Sequence, residues 1–297
     1  MLDKNSPALA RLIDLISKFA GLKPSDLLTR KLSFILKGIS EHELSQWVTS
    51  IANDPFKTEL PALVEDLNNH ETYFFRDVGQ MKLLEEKLLP ELIDRKIQER
   101  DFTINIWSAA CSSGEEVYTL GMAILQTFIK KNLSLKLRNG VILPPTGWQI
   151  KINGSDISRQ VIRKATEGIY ETSDTGLSSF RNFPPEFMDY LTLVNEYQDL
   201  LGKTKRTYRV NDVVKSLTKF EIFNLMSPIP PVKQCDLILC RNVMIYLHED
   251  AQRHVQMVLR SALRSGGVIM MSAVDTMYDQ VGLNIHNNLG CVYYEKK

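Results

Sequence analysis

Residues 107–116 read Trp-Ser-Ala-Ala-Cys-Ser-Ser-Gly-Glu-Glu and lie between an apolar run that predicts a strand and one that predicts a helix. In dinucleotide-type folds, a strand, a small-residue turn and a helix bring backbone amides close to a ligand. Gly114 is the single glycine, so the turn is no phosphate cradle, and Glu115-Glu116 would repel a pyrophosphate. A carboxylate suits a ligand with an amine, such as the methionine part of S-adenosylmethionine (AdoMet). An ordinary turn with an acid that complements the helix dipole explains the stretch equally well.

Three further segments bear on this choice. They are residues 70–77 (HETYFFRD), 153–158 (NGSDIS) and 236–246 (DLILCRNVMIY). With residues 107–116, and in this order, they resemble the chemotaxis receptor glutamate methyltransferases, the CheR family. The resemblance covers about residues 60 to 272 and is specific, because the TYFFRD and CRNVMIY motifs are long and chemically unusual.

Length and charge restrict the class of protein. At 297 residues the chain exceeds one ordinary domain and allows a sizeable core. A net charge of +1 gives no global field that would favour nucleic acid or anionic lipid. No stretch approaches the roughly 18 apolar residues of a membrane span, and the first residues are too polar for a signal peptide. We therefore expect a cytoplasmic monomer that neither binds nucleic acid nor inserts into a membrane.

The cysteines and histidines indicate neither a disulfide framework nor a metal site. The four cysteines form no CxxC pair, and three of them lie in apolar strand or turn settings. Reduced, buried thiols are therefore expected. The five histidines lack the spacing of metal ligands, so no metal is expected.

Strands alternate with helices from residue 103 onward, which predicts an α/β fold with a mostly parallel sheet. We expect strands near 103–108, 149–153, 219–223, 236–240 and 267–272. We expect helices near 114–131, 158–166 and 249–263, a turn at 264–267, and a final hairpin that includes 292–294. With the resemblance, this pattern implies a Rossmann-like AdoMet-dependent methyltransferase domain over residues 71–297.

Residues 1–70 predict an N-terminal all-α domain. Apolar residues recur at helical spacing in four runs, and Ser6, Ser25 and Ser40 suit the positions before three of them as N-caps. A further helix over 80–96 leads into the α/β part. The resemblance implies that this helical domain docks the substrate.

Two stretches do not fit plain alternation. Residues 136–147 predict an inserted surface loop, and 173–212 are longer than a crossover connection needs. Within the second stretch we expect a helix around 185–190 and antiparallel strands at 192–197 and 205–210. The resemblance implies a small inserted β-subdomain here, which in some family members grips a tethering peptide at the receptor C-terminus.

The cofactor implied by the resemblance is AdoMet, with S-adenosylhomocysteine as the product. Glu115 would receive the methionine amine, or else only complement the helix dipole. Asp156 would accept the ribose hydroxyls, or else only form a turn. The resemblance implies that Asn224 and Leu225 flank the adenine. The expected cofactor-binding set is His70, Thr72, Arg76, Ala109, Ala110, Glu115, Asp156, Asn224, Leu225, Asn242 and Val243.

Arg76 and Tyr246 are the expected catalytic residues. The resemblance implies that Thr72 and Arg76 face AdoMet and the carboxylate of a receptor glutamate. That nucleophile is ionised at pH 7 and needs no general base, so its alignment decides the rate. A guanidinium can hold one oxygen while the other attacks. Two structural roles stay open: an arginine whose stem packs on rings, and a partly buried core tyrosine.

The resemblance implies O-methylation of glutamate side chains on chemoreceptors. The expected partners are receptor cytoplasmic helices, which would meet Arg30, Lys31 and Lys37, and a receptor tail peptide at the β-subdomain. Two departures from the family pattern are His70, where asparagine is expected, and residues 272–276, which lack a His-Ser-Glu sequence. They motivate an alternative, a non-catalytic signalling module that binds AdoMet or S-adenosylhomocysteine.

Overall fold

The computed structural model of the protein describes residues 6–53, 59–67, 71–136, 142–143, 145–172 and 178–297. Its helices are α1 (Pro7–Ala20), α2 (Asp26–Ile35), α3 (Glu41–Asn53), α4 (Glu59–Leu67), α5 (Val78–Leu83), α6 (Leu89–Glu99), α7 (Glu115–Lys130), α8 (Arg159–Glu167), α9 (Asp212–Lys215) and α10 (Glu249–Ala262). Its strands are β1 (Thr103–Ala109), β2 (Gln149–Asp156), β3 (Ile169–Glu171), β4 (Leu191–Gln198), β5 (Thr204–Val210), β6 (Thr218–Ile222), β7 (Cys235–Cys240), β8 (Leu263–Met271), β9 (Leu283–Asn288) and β10 (Cys291–Lys296).

Seven strands form the central sheet in the order β6-β2-β1-β7-β8-β10-β9. The first five run parallel, and β10 is antiparallel to both of its neighbours. This confirms the predicted α/β fold with its mostly parallel sheet and final hairpin. The chain proceeds from β1 to one side of the sheet and later returns to β7 on the other side. The carboxyl ends of β1 and β7 therefore mark the topological switch point, where open α/β sheets bind ligands.

The predicted turn at 264–267 was wrong, because these residues belong to β8. Gly266 adopts a left-handed φ of 71°, and the pairing between β7 and β8 shifts register at this end. A Cβ on Gly267 would lie 2.5 Å from the carbonyl oxygen of Cys235. The two glycines thus form a bulge that lets the strands approach closely, rather than a turn before the strand.

The helix predicted over 80–96 begins at Val78 and ends at Glu99, and a π turn over Leu84–Leu88 interrupts it. Pro90 lies two residues after the end of this turn. Proline has no N–H to donate and its ring crowds the carbonyl one turn earlier, so the helix widens before it.

The described N-terminal helices α1 to α4 pack around a hydrophobic cluster of their own. Ser6 caps α1 and Ser25 caps α2, each by accepting a backbone N–H three residues on, and Ser40 with Glu43 forms a capping box before α3. The end of α1 meets the loop that follows β7, because the Lys23 amide donates to the Tyr246 carbonyl at 2.8 Å. The helical bundle therefore adjoins the switch point of the sheet.

The inserted segment contains a three-stranded antiparallel sheet in the order β3-β5-β4. The two strands expected at 192–197 and 205–210 are confirmed as β4 and β5, and β3 is an additional strand. The helix expected around 185–190 is a 3₁₀ helix, Pro185–Tyr190. Residues 137–141, 144 and 173–177, which include parts of the predicted surface loop and insert, lie outside the described residues.

A buried ion cluster joins α6 to the amino end of the sheet. The side chains of Lys96 and Asp236 are 2% and 0% exposed, and their charged atoms lie 2.8 Å apart. Arg264 of β8 also pairs with Asp236, and the Asn105 amide of β1 donates to it. One carboxylate therefore connects a helix and three neighbouring strands. None of the described helices is long and apolar enough to cross a membrane.

We expect Asp236→Asn to lower the free energy of unfolding by about 3 kcal/mol, because it leaves the Lys96 ammonium buried with less compensation. Urea unfolding followed by circular dichroism measures this change. The control is Glu249→Gln, which breaks the exposed Arg253–Glu249 pair and should cost less than about 1 kcal/mol. Equal losses in the two variants would contradict a structural role for the buried cluster.

Candidate active site

A cleft opens at the carboxyl ends of β1, β2 and β7, at the switch point of the sheet. It encloses about 950 Å³, a volume that includes space open to solvent. Six parts of the chain contribute: the end of α1, the segment before α5, the turn after β1, and the loops after β2, β6 and β7. The lining residues are Ala20, Leu22, Glu71, Thr72, Arg76, Ala110, Cys111, Ser112, Glu116, Asp156, Ile157, Phe223, Asn224, Leu225, Arg241, Asn242, Val243, Tyr246 and Leu247.

The turn after β1 brings backbone against the cleft. Ala110 and Ser112 have left-handed φ angles of 62° and 49°, and Gly114 has a φ of 92°. A Cβ on Gly114 would lie 2.8 Å from that of Ala165, so a larger residue would separate the turn from α8. Ala109, expected in the cofactor site, instead ends β1 inside the hydrophobic core and is 1% exposed. Ala110 is the first residue of the turn to reach the cleft.

Cys111 lies in the same turn and lines the cleft, although only 2% of its surface is exposed. Its amide donates to the Ser155 carbonyl of β2 at 2.9 Å, which fixes the turn to the neighbouring strand. Burial, with added repulsion from Asp156 and Glu116, raises the pKa of its thiol well above the ordinary value.

Glu115, which was expected to receive the methionine amine, does not line the cleft. This carboxylate is 1% exposed and accepts hydrogen bonds from the hydroxyls of Ser113 and Ser179, away from the cleft lining. Its burial raises its pKa. Glu116, one residue further on, lines the cleft instead. Neighbouring residues of a helix point about 100° apart, so only one of two adjacent acids can face the ligand.

Glu116 is held by a second network. Its carboxylate accepts from the Arg241 Nε at 2.7 Å and from the Ser108 hydroxyl at 2.6 Å. The Arg241 side chain is 2% exposed, and its Nη1 also donates to the Gln80 side chain and to the Arg76 carbonyl. The acid therefore has a fixed position beside the turn.

Asp156 ends β2 and is 8% exposed. Its two carboxylate oxygens accept from the backbone amides of Ser112, at 2.9 Å, and Ser158, at 3.1 Å. A carboxylate has about four acceptor sites, so bonds to the backbone do not by themselves exclude a ligand hydroxyl as a donor. Turn formation and ligand contact are compatible roles for this residue.

The loops after β6 and β7 bring the other expected residues to the cleft. Asn224 donates its side-chain amide to the Phe19 carbonyl of α1 at 2.7 Å, and Leu225 lies beside it in the lining. Asn242 has a left-handed φ of 58°, and its amide donates to the hydroxyl of Ser272. Val243 follows it in the lining. Ser272 opens the segment that departs from the family pattern, and it supports the loop after β7.

The segment before α5 divides its side chains between the core and the cleft. Phe74 and Phe75 are 0% and 3% exposed and pack with aromatic residues of the insert, whereas Thr72 and Arg76 line the cleft. The Arg76 Nη1 donates to the Glu71 carbonyl at 2.8 Å. His70 lies outside the described residues.

Tyr246 lines the same cleft and is 36% exposed, so the ring is partly buried at the cleft wall. Sequence reasoning did not single out Glu116 and Arg241 as cleft residues, although they lie within residues 107–116 and 236–246. It also missed Glu71, Ile157 and Phe223, which carry no signal of a site by residue type alone.

The residues of the cleft fit AdoMet. A fixed carboxylate from Glu116 suits the methionine amine, and Asp156 suits the ribose hydroxyls. Ile157, Phe223 and Leu225 offer apolar surface for a flat base. The left-handed turn leaves room for the ligand against the backbone.

Comparison with known proteins supports this fit. Residues 70–288 match the family described as CheR methyltransferase, SAM binding domain, where SAM is AdoMet. A chemotaxis protein methyltransferase of Borreliella burgdorferi is 29% identical over 91% of this chain and 88% of its own length. Chemotaxis protein methyltransferase 1 of Pseudomonas aeruginosa is 31% identical over 72% and 69%. A relative from Vibrio parahaemolyticus is 32% identical over 73% and 68%. The matched domain is thus one that binds AdoMet, and the chain belongs to the CheR family of chemotaxis methyltransferases.

Proposed function

We propose that this protein transfers the methyl group of AdoMet to glutamate side chains of chemoreceptors, which gives glutamate methyl esters and S-adenosylhomocysteine. The observation that carries the proposal is that the acids lining the cleft already have partners within the protein. Glu116 pairs with Arg241, Asp156 accepts two backbone amides, and Glu71 pairs with Arg181. Among the described lining residues there is also no histidine. An amine or hydroxyl substrate would call for a base, whereas an ionised carboxylate needs none.

Arg76 is the proposed catalytic residue that orients the substrate. Its planar guanidinium is suited to hold one carboxylate oxygen while the other oxygen points at the methyl group. When bound, AdoMet supplies an electrophilic methyl on a sulfonium: an O–CH₃ bond forms as the S–CH₃ bond breaks, and a neutral thioether leaves. Tyr246 is proposed to contribute its hydroxyl to the carboxylate or its ring to the wall near the sulfonium.

The cofactor contacts are proposed from the positions of the cleft residues. Glu116 takes the methionine amine, the role first expected of Glu115, and Asp156 takes the ribose. Asn224 and Leu225 flank the adenine, as Phe223 does from the same loop. Ala110, Thr72, Asn242 and Val243 complete the enclosure.

The face of α2 is proposed to dock the receptor, within an N-terminal substrate-docking domain over residues 1–70. Leu27 and Phe34 are 61% and 80% exposed and lie about two helical turns apart, and Arg30 lies between them in sequence. Apolar and cationic side chains on one helix suit an acidic amphipathic helix as partner. Lys31 is less available, since its ammonium donates to the Leu67 carbonyl of α4 at 2.7 Å. The β-subdomain, about 173–212, is proposed to hold a receptor tail peptide.

One experiment separates the proposed enzyme from a non-catalytic module. Radiolabelled AdoMet is incubated with this protein and receptor-bearing membranes, and the label on the receptor is then treated with mild base. Label that base releases as methanol supports a glutamate methyl ester. Tight binding of S-adenosylhomocysteine without any such label would favour the module.

Asp156→Asn should weaken S-adenosylhomocysteine binding by about 1.5 kcal/mol or more, roughly tenfold, because an amide replaces a charged hydrogen-bond acceptor. Isothermal titration calorimetry measures the affinity. Asp250→Asn, a change at an exposed residue of α10, is the control. Unchanged affinity in a folded Asp156→Asn protein would remove this residue from the ribose site.

Arg76→Lys should lower turnover at least about tenfold while the unfolding midpoint changes little, because lysine keeps the charge but loses the planar fork. Steady-state methylation of a receptor fragment gives kcat, and thermal unfolding gives the midpoint. Arg253→Lys replaces an arginine of α10 that is not part of the cleft lining, and it serves as the control. A wild-type rate for Arg76→Lys would exclude the orienting role.

Reversing Arg30 and Lys37 together, each to Glu, should raise KM for the receptor fragment, and more so at low ionic strength, because salt screens long-range attraction. The affinity for S-adenosylhomocysteine should stay the same. Reversal of Lys82 and Lys219, which are 57% and 70% exposed, changes the total charge equally and is the control. An equal rise in KM in both double variants would show that net charge, not the α2 face, governs docking.

A further inference from the structure

Arg181 of the insert lies against the segment that carries Arg76. Its Nη2 is 3.0 Å from a carboxylate oxygen of Glu71, and its guanidinium carbon lies 4.1 Å above the ring of Tyr73. The stretch around it is anchored as well, because the Phe74 amide donates to the Ser179 carbonyl at 2.9 Å. Arg181 is thus held by an ion pair, a ring and the backbone of its neighbours.

The partner of Arg181 is a negative charge inside the cleft. Glu71 lines the cleft and its side chain is 41% exposed. Its own backbone carbonyl accepts from the Arg76 guanidinium, so the carboxylate belongs to the residue that Arg76 already contacts. Tyr73 lies between the two arginines, because the Arg76 guanidinium carbon is 5.7 Å from the same ring.

This arrangement poses an electrostatic problem for an anionic substrate. A free Glu71 carboxylate would repel the incoming glutamate and compete with it for Arg76. A half-exposed ion pair contributes little to folding, so stability gives no sufficient reason for the Arg181–Glu71 contact. Stacking on Tyr73 adds the orientation that a bare surface pair lacks.

We propose that Arg181 is a positioning residue that neutralises Glu71 and holds its carboxylate away from Arg76, so that the cleft admits a substrate carboxylate. The inference rests on the proposed function, since only an anionic substrate would need this protection. It gives the insert a part in substrate acceptance, because Arg181 reaches the cleft only while residues 178–183 remain packed on Phe74.

The test is a double-mutant cycle of Arg181 and Glu71, with a soluble cytoplasmic fragment of a receptor as the substrate. Arg181→Gln should raise KM about five- to tenfold, with a smaller change in kcat, because it exposes the Glu71 charge to the substrate. Adding Glu71→Gln to this variant should return KM to within about twofold of the unsubstituted protein. A role in packing alone predicts no such recovery, because the second substitution restores no contact.

The chain offers a matched control. Arg253 pairs with Glu249 at 2.7 Å and lies 4.2 Å above the ring of Tyr278, on α10 and outside the cleft. Arg253→Gln removes the same kind of stacked ion pair and should leave KM unchanged. Calorimetry with S-adenosylhomocysteine checks that each variant keeps its cofactor site.

The outcomes separate this inference from the proposed function. If the unsubstituted protein transfers no label to receptor carboxylates, the proposed function fails and the inference fails with it. If it transfers label but Arg181→Gln leaves KM unchanged, or the double variant stays as impaired as the single one, only the inference is overturned. Recovery in the double variant, with no effect of Arg253→Gln, supports it.

Discussion

The buried ion pair between Glu116 and Arg241 is the interaction on which the site depends. Glu116 lies in the first turn of α7, after the loop that follows β1, and Arg241 follows β7, so the pair spans the switch point of the sheet. Arg241 distributes its donors over Glu116, Gln80 and the Arg76 carbonyl. A buried guanidinium is tolerated only when its donors are satisfied. The cost of leaving any donor unpaired therefore holds three distant parts of the chain in one arrangement.

The segment before α5 connects this pair to the rest of the site. Its two phenylalanines pack into the core with aromatic residues of the insert, so the backbone between them and α5 has little freedom. Thr72 and Arg76, on either side of them, are thereby presented to the cleft. Burial of rings positions polar side chains here, and a preorganised site needs that support. The insert and the cleft are consequently parts of one packed unit along this segment.

Much of the fold could be predicted from the sequence, because the spacing of apolar residues indicates strands and helices, and capping residues indicate where helices begin. Apolar strand runs located the parallel sheet, and the rule that ligands bind beyond strand ends located Asp156 and Asn242. The sequence could not show which of Glu115 and Glu116 lines the cleft. That choice depends on the rotation of α7 and on Ser179, a hydroxyl 64 residues away that satisfies Glu115. The contact of Arg241 could not be predicted either, since its partner Glu116 is 125 residues away in the sequence.

Cys111 lines the cleft, so the reactivity of its thiol toward a methyl donor matters. A thiolate beside a sulfonium methyl group would be a better nucleophile than any carboxylate, and the protein would then consume its own methyl donor. Burial and the nearby carboxylates of Asp156 and Glu116 raise the pKa of this thiol, so the sulfur stays protonated and unreactive at neutral pH. Burial first, and the nearby carboxylates second, thereby disfavour a nucleophilic thiolate in the turn that follows β1.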